Sequence, residues 1–252
     1  MKTETHIKVR CRLYSHQAIT LGKSLSLDAD QGHYLRMVMR LHKDDHIILF
    51  NGEGGEYLAQ IEHLAKNDTQ CTVLAFTQVE RELAVPVHII QCANNRDKIE
   101  TVLQKGTELG AASFQITSSE RAQFILKGEA KIAERLTRWN KIVIEAAEQS
   151  GRTRIPQISW SPSIEQIQIQ GHGYLLHPHF GDHWNDLQSC VKQQQPVTLA
   201  IGPEGGWSDL DIEKLTQLGC NPIRFGSRIM RTETAAPALL AAVQCLLMAK
   251  NL

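Results

Sequence analysis

Short apolar runs alternate with amphipathic stretches throughout residues 87–252, and this pattern constrains the fold more than any other feature. We predict strands at VHIIQCA, SFQITSS, GYLLH, VTLAIG and IRFG, because these runs are short, apolar and rich in β-branched residues. Helices are predicted over 96–109, over about 130–150, at SDLDIEKLTQLG and to about Lys250. Such alternation indicates an α/β domain with a mainly parallel sheet and helices on both faces.

The chain before residue 87 has a different pattern. The short alternating runs HIILF, EYLAQIEHL and TQCTVLAFTQV are separated by turn-rich segments such as NGEGGE, which predicts a small β-rich domain at 1–80. Residues 81–86, RELAVP, are predicted to be a linker, because Pro86 disfavours helix and the hydrophobic pattern changes directly after it. The sequence therefore predicts two domains, 1–80 and 87–252.

One segment of the first domain has helical rather than strand spacing. In HYLRMVMRLHKDD, the side chains of Tyr34, Leu35, Val38 and Leu41 recur at helical intervals, with basic residues between them. We expect a short amphipathic helix that caps a β-barrel.

Composition limits the classes of protein that the chain can belong to. The 27 Lys and Arg balance 27 Asp and Glu, which argues against nucleic-acid binding by bulk charge alone. Residues 1–50 and 87–160 are mildly basic, however, and this allows local phosphate contacts. The six cysteines are scattered without a CxxC pair, as in a reducing cytosol. No export signal and no run of about eighteen apolar residues is apparent, so we expect a cytoplasmic protein outside the membrane.

The loops that follow the predicted strands are the places to search for a site. Parallel α/β sheets bind ligands beyond the carboxyl ends of their strands, which here means after Leu176, Ile201 and Phe225. The second loop, GPEGGW at 202–207, has glycines that let backbone groups approach a ligand, although a plain strand-to-helix turn can have the same composition. It matches neither GxxxxGK[ST] nor GxGxxG, so a P-loop or a dinucleotide site is not indicated.

Two helix starts follow these loops. Ser208 is expected to cap the helix after GPEGGW, with Asp211 at the capping-box position. Thr232 or Thr234 can cap the last helix, and Pro237 is expected in its first turn.

The third loop, FGSRIMRTETAA at 225–236, carries more polar groups than a connection requires. Arg228 and Arg231 can bind phosphate or stabilise an anion. Glu233 can accept a proton, or it can simply favour the helix N-terminus.

Two other chemistries are weaker interpretations of the same region. His177, His179 and His183 suggest zinc, but only Asp182 is available to complete a ligand set, so no metal is predicted. Ser208 has no identifiable His and acid partners, which argues against a hydrolase.

The loops together carry a resemblance to a known family. IGPEGGWS and FGSRIMRTETAA are similar to the IGPEGG and LGxRxLRxETA signatures of the RsmE family. The blocks HYLRMVMRLHKDDHIILFNGEG, KIETVLQKGTELGA, SERAQ and RWNKIVIEAAEQSGRTRIP also resemble family blocks and keep their order. The chain departs from the family pattern at 93–98 and matches it little at 157–173.

The resemblance implies a fold and a cofactor. RsmE proteins are SPOUT methyltransferases, in which an α/β domain with a trefoil knot holds S-adenosylmethionine, and a small N-terminal β-rich PUA-like barrel helps to hold RNA. A homodimer would complete the site. By this resemblance the cofactor-binding residues are Leu176, His177, Pro178, Gly202, Pro203, Glu204, Gly205, Gly206, Phe225, Gly226, Ile229, Met230, Arg231, Thr234 and Ala235.

The substrate implied by the resemblance is 16S rRNA of the 30S subunit, methylated on N3 of the uridine at position 1498 in the usual rRNA numbering. The imide proton must leave N3 as the nitrogen attacks the methyl group, and the oxygens gain negative charge. We expect Arg231 to stabilise that charge, with Glu204 and Glu233 as candidate bases.

Contacts to rRNA are expected from basic residues in the family-like blocks. The candidates are Arg10, Arg12, Arg36, Arg40, Arg121, Arg152 and Arg154. Tyr34, Phe124 or Trp207 can stack on the target base, although burial in a core is the commoner role of an aromatic side chain.

Two alternatives to this function stay open. A SPOUT enzyme can act on another RNA or on a ribose 2′-hydroxyl, because the cofactor loops do not select the acceptor atom. A catalytically silent rRNA-binding or ribosome-assembly factor can also keep the fold.

Overall fold

The computed structural model describes residues 8–66, 68–92, 95–122 and 126–249. The chain divides into two compact units. One unit contains the chain up to Glu82 together with Ala147–Ile155, and the other contains Leu83–Ala146 and the chain from Pro156 onward. A segment from the middle of the chain thus belongs to the first unit, which the sequence pattern does not indicate. The domain boundaries given above stay a prediction.

The first unit is built on one mixed β-sheet. Its strands are β1 (Val9–Tyr14), β2 (Ser24–Leu27), β3 (His46–Phe50), β4 (Glu56–Leu64) and β5 (Thr69–Thr77). The five strands have the order β1-β3-β4-β5-β2, with β1 parallel to β3 and the other neighbours antiparallel. Alternate side chains of these strands meet in one core, which includes Leu13, Leu49, Ile61 and Val73. The runs predicted at β3, β4 and β5 are confirmed.

The helix of the first unit differs from its prediction in geometry. α1 (Ala29–His33) continues into one turn of π-helix at Tyr34–Val38. Because a π-turn holds more residues than an α-turn, the expected apolar face is broken. Leu35 and Leu41 are buried as expected, but the first and last residues of the π-turn are 38% and 62% exposed.

Side-chain contacts hold the segment 147–155 in the first unit. The guanidinium of Arg152 pairs with the carboxylate of Glu82. Arg12 in β1 donates to the backbone carbonyl of Arg152 at 3.0 Å. Since Arg152 is only 4% exposed, its charge requires such a partner to be stable inside the unit.

The second unit is an α/β layer structure. Its strands are β6 (Val87–Cys92), β7 (Ser113–Thr117), β8 (Gln157–Ser161), β9 (His172–Leu176), β10 (Val197–Ile201) and β11 (Cys220–Ile223). Its helices are α2 (Arg96–Glu108), α3 (Glu129–Ser150, whose end lies in the first unit), α4 (Trp184–Lys192), α5 (Asp209–Gln217) and α6 (Thr232–Ala249), with a 3₁₀ turn at Ile164–Gln166. All neighbouring strands of the six-stranded sheet, ordered β11-β9-β10-β6-β7-β8, are parallel. The predicted α/β class is therefore confirmed.

Several helix ends agree with their sequence signals. Ser208 and Asp211 form the predicted capping box at the start of α5. Gly110 and Gly151, directly beyond the ends of α2 and α3, have φ of +89° and +81°, a conformation that favours glycine. β8 and α4 were not predicted.

The end of the chain requires two corrections. The predicted strand IRFG is wrong, because β11 is already complete at Ile223. Pro222 lies within β11, where a missing N–H is tolerated because this is an edge strand. α6 begins with Thr232 as its first helical residue, so Pro237 lies in the second turn rather than the first. The hydroxyl of Thr232 bonds elsewhere, as described below, and does not cap the helix.

By length and composition alone, α6 is long and apolar enough to cross a membrane, with a mean hydropathy of 1.4. The helix is not an unbroken apolar run, however, because Thr232, Glu233, Thr234 and Gln244 lie within it. Core helices pass the same test, and α6 packs on α2 and α4 with Leu239, Leu240 and Val243 buried. One helix of this kind is weak evidence for a membrane span.

A glycine in α2 allows this helix to pack closely on the ring of Phe114 in β7. A Cβ atom built on Gly106 would lie 2.7 Å from the ring of Phe114 and 3.6 Å from Leu240 of α6. We expect Gly106→Val to lower the free energy of unfolding by about 1–3 kcal/mol, because added volume must displace that ring. Urea unfolding measures the change, with Gln104→Val at an exposed site of α2 as the control for the helix propensity of valine. Equal stability of the two variants would contradict this packing.

Candidate functional site

A cavity of about 620 Å³ opens in the second unit at the carboxyl edge of its sheet. The loops after β9, β10 and β11 form its walls, where parallel sheets bind ligands. The start of α2 adds one further residue. The lining consists of Lys98, 176–179, 201–207, 224–226, 228–232 and Ala235.

A buried hydroxyl joins two of these loops. Thr232, at the start of α6, donates to the backbone carbonyl of Gly202 at 2.8 Å. The side-chain amide of Gln91, at the end of β6, donates to the Thr232 hydroxyl at 2.8 Å. Gln91 and Thr232 are 2% and 6% exposed, so these bonds are shielded from water and fix the two loops to the sheet.

The glycine loop after β10 is held from outside the cavity as well. Arg121 donates to the backbone carbonyls of Gly205 and Trp207, at 3.0 and 3.2 Å. The ring of Trp207 is 4% exposed and lies against Gly202, where a Cβ atom would come within 3.2 Å of it. By contrast, a Cβ at Gly206 would meet no described atom within 4 Å. The loop is therefore packed on its inner side and free of side chains at Gly206.

The charged groups of the cavity come from separate parts of the chain. The ammonium of Lys98 pairs with the carboxylate of Glu204 and lies 3.8 Å from Oε2 of Glu233. The loop after β11 contributes three exposed guanidinium groups. They belong to Arg224, Arg228 and Arg231.

His177 has a defined hydrogen-bonding role in the first loop. Its Nδ1 accepts from the backbone N–H groups of His179 and Phe180, at 3.3 and 3.2 Å. The Phe180 ring lies with its centroid 3.7 Å from that of His177. Desolvation, followed by the charge of His179, lowers the pKa of His177 below its ordinary value of 6.5. The neutral ring therefore carries its proton on Nε2.

Comparison with known protein families shows which family the chain belongs to. The RNA methyltransferase domain matches residues 81–244, and the RNA methyltransferase PUA domain matches 27–74. Ribosomal RNA small subunit methyltransferase E of Synechocystis sp. is 33% identical over 234 residues, which cover 89% of this chain and 74% of that protein. The chain belongs to the ribosomal RNA small subunit methyltransferase E family.

Solved structures of similar proteins have the same fold. A protein from Legionella pneumophila, solved in complex with the bound cofactor SAM, is 31% identical with a TM-score of 0.86, covering 95% of this chain and 98% of that chain. Ribosomal RNA small subunit methyltransferase E from Neisseria gonorrhoeae, bound to S-adenosyl methionine, is 27% identical with a TM-score of 0.84, covering 94% and 97%. A PUA domain followed by a SPOUT-type methyltransferase domain, as predicted, is the architecture of this methyltransferase E chain.

The residues that the sequence assigned to a cofactor come together in the structure. All of them except Thr234 line the cavity, and Thr234 lies exposed in the first turn of α6. Of the three predicted catalytic residues, Arg231 and Glu204 are also in the lining, while Glu233 reaches the same cluster through Lys98. Their roles stay predictions.

Sequence reasoning did not identify Lys98, Ile201 and Arg224 as lining residues. It also did not predict that the Thr232 hydroxyl joins two of the loops. Lys98 follows β6 at the same carboxyl edge as the other loops. The rule that selected those loops would have found it if it had been applied to every strand.

The arginines predicted to contact RNA have different environments. Arg10, Arg40 and Arg154 are exposed, and Arg154 pairs with Glu80 at 3.0 Å. Arg36 is half-buried in the π-turn. The contacts of Arg12, Arg121 and Arg152 described above favour structural roles for these three, and RNA contact by any of the seven stays a prediction. Of the proposed stacking residues, Tyr34 is exposed, Trp207 is buried and Phe124 lies outside the described residues.

The histidines considered for zinc are engaged in other contacts. Nδ1 of His177 accepts two backbone bonds, and His183 pairs with Asp186 at 2.7 Å. Within the described part of the chain, no group of three or more His, Cys, Asp or Glu side chains is arranged to hold a metal ion.

The hydroxyl link generates a stability prediction. Thr232→Val keeps the side-chain shape but leaves the Gly202 carbonyl and the Gln91 amide without this partner. We expect the free energy of unfolding to fall by about 1–3 kcal/mol. Denaturant unfolding measures it, and Thr234→Val, at an exposed site of the same turn, is expected to change stability by less than about 0.5 kcal/mol. Similar values for both variants would contradict a role for the link.

The histidine contacts generate a pH prediction. Protonation of His177 would remove its Nδ1 acceptor, so the stability that these contacts contribute is complete above pH 6.5 and is lost as pH falls towards the lowered pKa. An NMR titration of the His177 ring should give a value below 6.5. In His177→Asn, Oδ1 can accept the same N–H groups without titrating, and this part of the pH dependence should disappear. A midpoint at or above 6.5 would refute the assignment.

Proposed function

We propose that this protein uses S-adenosylmethionine to methylate N3 of a uridine in 16S rRNA of the small ribosomal subunit, at position 1498. The observation that carries the proposal is the cavity itself. The cavity is lined by IGPEGGW and by most of FGSRIMRTETAA, and the chain that forms it belongs to the methyltransferase E family. The names and bound cofactor of the relatives support the same reaction.

The residues of the cavity fit the cofactor chemically. Leu176, Ile201 and Ile229 offer apolar surface for an adenine ring, and the arginine side chains offer partners for a carboxylate. The side-chain-free wall at Gly206 lets backbone groups contact a ligand directly. When bound, the cofactor supplies a methyl group made electrophilic by its sulfonium sulfur.

The remaining task of the protein is to prepare the uracil. N3 carries a proton that must leave as the nitrogen attacks, and negative charge spreads to O2 and O4. Arg231 is exposed in the cavity lining and can stabilise that charge. Glu204 or Glu233 can take the proton, directly or through water. Alignment of the two reactants supplies a further part of the rate.

The wider features implied by the family belong to the same proposal. The N-terminal domain at 1–80 binds rRNA with exposed basic residues such as Arg10 and Arg40, the linker spans 81–86, and the methyltransferase domain at 87–252 contains a trefoil knot. The protein acts as a cytoplasmic homodimer that needs no metal. The exposed Tyr34 can stack on an unpaired base.

Nucleoside mass spectrometry tests the function directly. Cells without this protein should lack 3-methyluridine in 16S rRNA, and purified protein with labelled S-adenosylmethionine should restore it in their small subunits. Unchanged 3-methyluridine in those cells would refute the uridine reaction. Loss of a different methylated nucleoside would keep the methyltransferase class and reassign the acceptor, whereas cofactor binding without any transfer would favour a silent binding protein.

A substitution tests the role of Arg231. Arg231→Met should lower the rate of methyl transfer by about 100-fold, because it removes a charge that acts on the developing anion. Single-turnover rates at saturating cofactor measure this. Arg138→Met, on the exposed side of α3 and outside the cavity lining, serves as the control. An unchanged rate in Arg231→Met would exclude this role.

A further inference from the structure

The position of Lys98 is not explained by the helix that carries it. Asn95 caps α2, so Lys98 is the third residue of the helix. Cations are disfavoured there, because the N-terminus of a helix carries partial positive charge. A lysine at this place therefore needs a partner elsewhere in the fold.

The side chain of Lys98 finds two partners, and each belongs to another element of the cavity. Its ammonium pairs with Glu204 in the glycine loop, and it lies 3.8 Å from Oε2 of Glu233 in the first turn of α6. Lys98 and Glu233 are 28% and 19% exposed in their side chains, while Glu204 is 46% exposed. The lysine thus connects three separate elements on the partly water-excluded side of the site.

Glu233 depends on this cation more than Glu204 does. Its Oε2 atom is buried and has no hydrogen-bond partner among the described residues. A carboxylate oxygen that is shielded from water and has no hydrogen-bond donor needs a nearby positive charge to offset its burial. In the described part of the chain, the Lys98 ammonium, at 3.8 Å, is that charge.

We propose that Lys98 is a positioning residue for methyl transfer, which holds the carboxylates of Glu204 and Glu233 in place at the cavity. This inference rests on the proposed function, because only a reaction that releases a proton requires a base. Lys98 itself has no part in the bond changes. It prepares whichever carboxylate receives the imide proton.

The packing of α2 against α6 makes this arrangement possible. α2 and α6 lie side by side, and the contact of Lys98 with Glu233 joins the first turns of the two helices. Other ionisable groups lie near Lys98. They are His177, His179, Arg224, Arg228 and Arg231 in the lining, with Arg96 and Asp97 beside Lys98 on α2.

The test compares two variants of Lys98 in the full-length protein. Lys98→Met removes the charge at similar length, and Lys98→Arg keeps the charge. Single-turnover transfer to small subunits should slow by about 10- to 100-fold in Lys98→Met, while the dissociation constant for S-adenosylmethionine changes less than about threefold. Lys98→Arg should recover most of the rate. Lys105→Met, at an exposed site two turns further along α2, should behave as wild type.

A combined variant separates positioning from a merely structural role. Adding Lys98→Met to a protein that already carries Glu204→Gln and Glu233→Gln should cost no further rate, because Lys98 acts only through those two carboxylates. A further loss of rate in that combined variant, or an unchanged rate in Lys98→Met, would overturn the proposal.

A failure of the proposed function can be distinguished from a failure of the inference about Lys98. If the wild-type protein transfers no methyl group to rRNA, that function is wrong whatever the variants do. The contact between Lys98 and Glu204 is then tested by a double-mutant cycle. The free energies of unfolding of Lys98→Met, Glu204→Gln and the double variant are compared with that of the wild type. A coupling indistinguishable from zero would overturn the contact, and a measurable coupling would support it.

Discussion

The hydrogen bond from the Thr232 hydroxyl to the Gly202 carbonyl is the constraint on which the cavity most depends. It ties the glycine loop to the start of α6, and Gln91 anchors the hydroxyl to the sheet. Because these groups are buried, breaking the link would leave polar atoms without compensation from water. Two loops that are separate in sequence therefore keep one relative position, and a cavity of defined shape can exist between them.

The charges of the cavity are arranged around that fixed frame. Cationic groups dominate the lining, with arginines on the loop after β11 and Lys98 on α2. The carboxylates of Glu204 and Glu233 both lie next to Lys98. Under the function proposed above, this arrangement would combine attraction of RNA with a proton acceptor inside a cationic surface.

Much of the fold could be predicted from local pattern. The strands of the parallel sheet are short apolar runs, and the start of α5 has a capping box whose residues lie three apart. The prediction failed where the local signal is ambiguous. IRFG is as apolar as a strand, but β11 pairs with β9 only as far as Ile223. The π-turn at Tyr34–Val38 shifts residues off a face that α-helical spacing would have preserved.

The sequence by itself determined the α/β class, the loops that line the cavity and the resemblance to a methyltransferase family. Each of these follows from the spacing of apolar residues or from contiguous sequence motifs. Only the tertiary structure decided which partners the charged residues take. Arg152 turns inward to Glu82, Arg121 holds the glycine loop, and Lys98 reaches two carboxylates from other elements. These pairings join residues distant in the chain, and they depend on side-chain direction and helix packing, which periodicity does not encode.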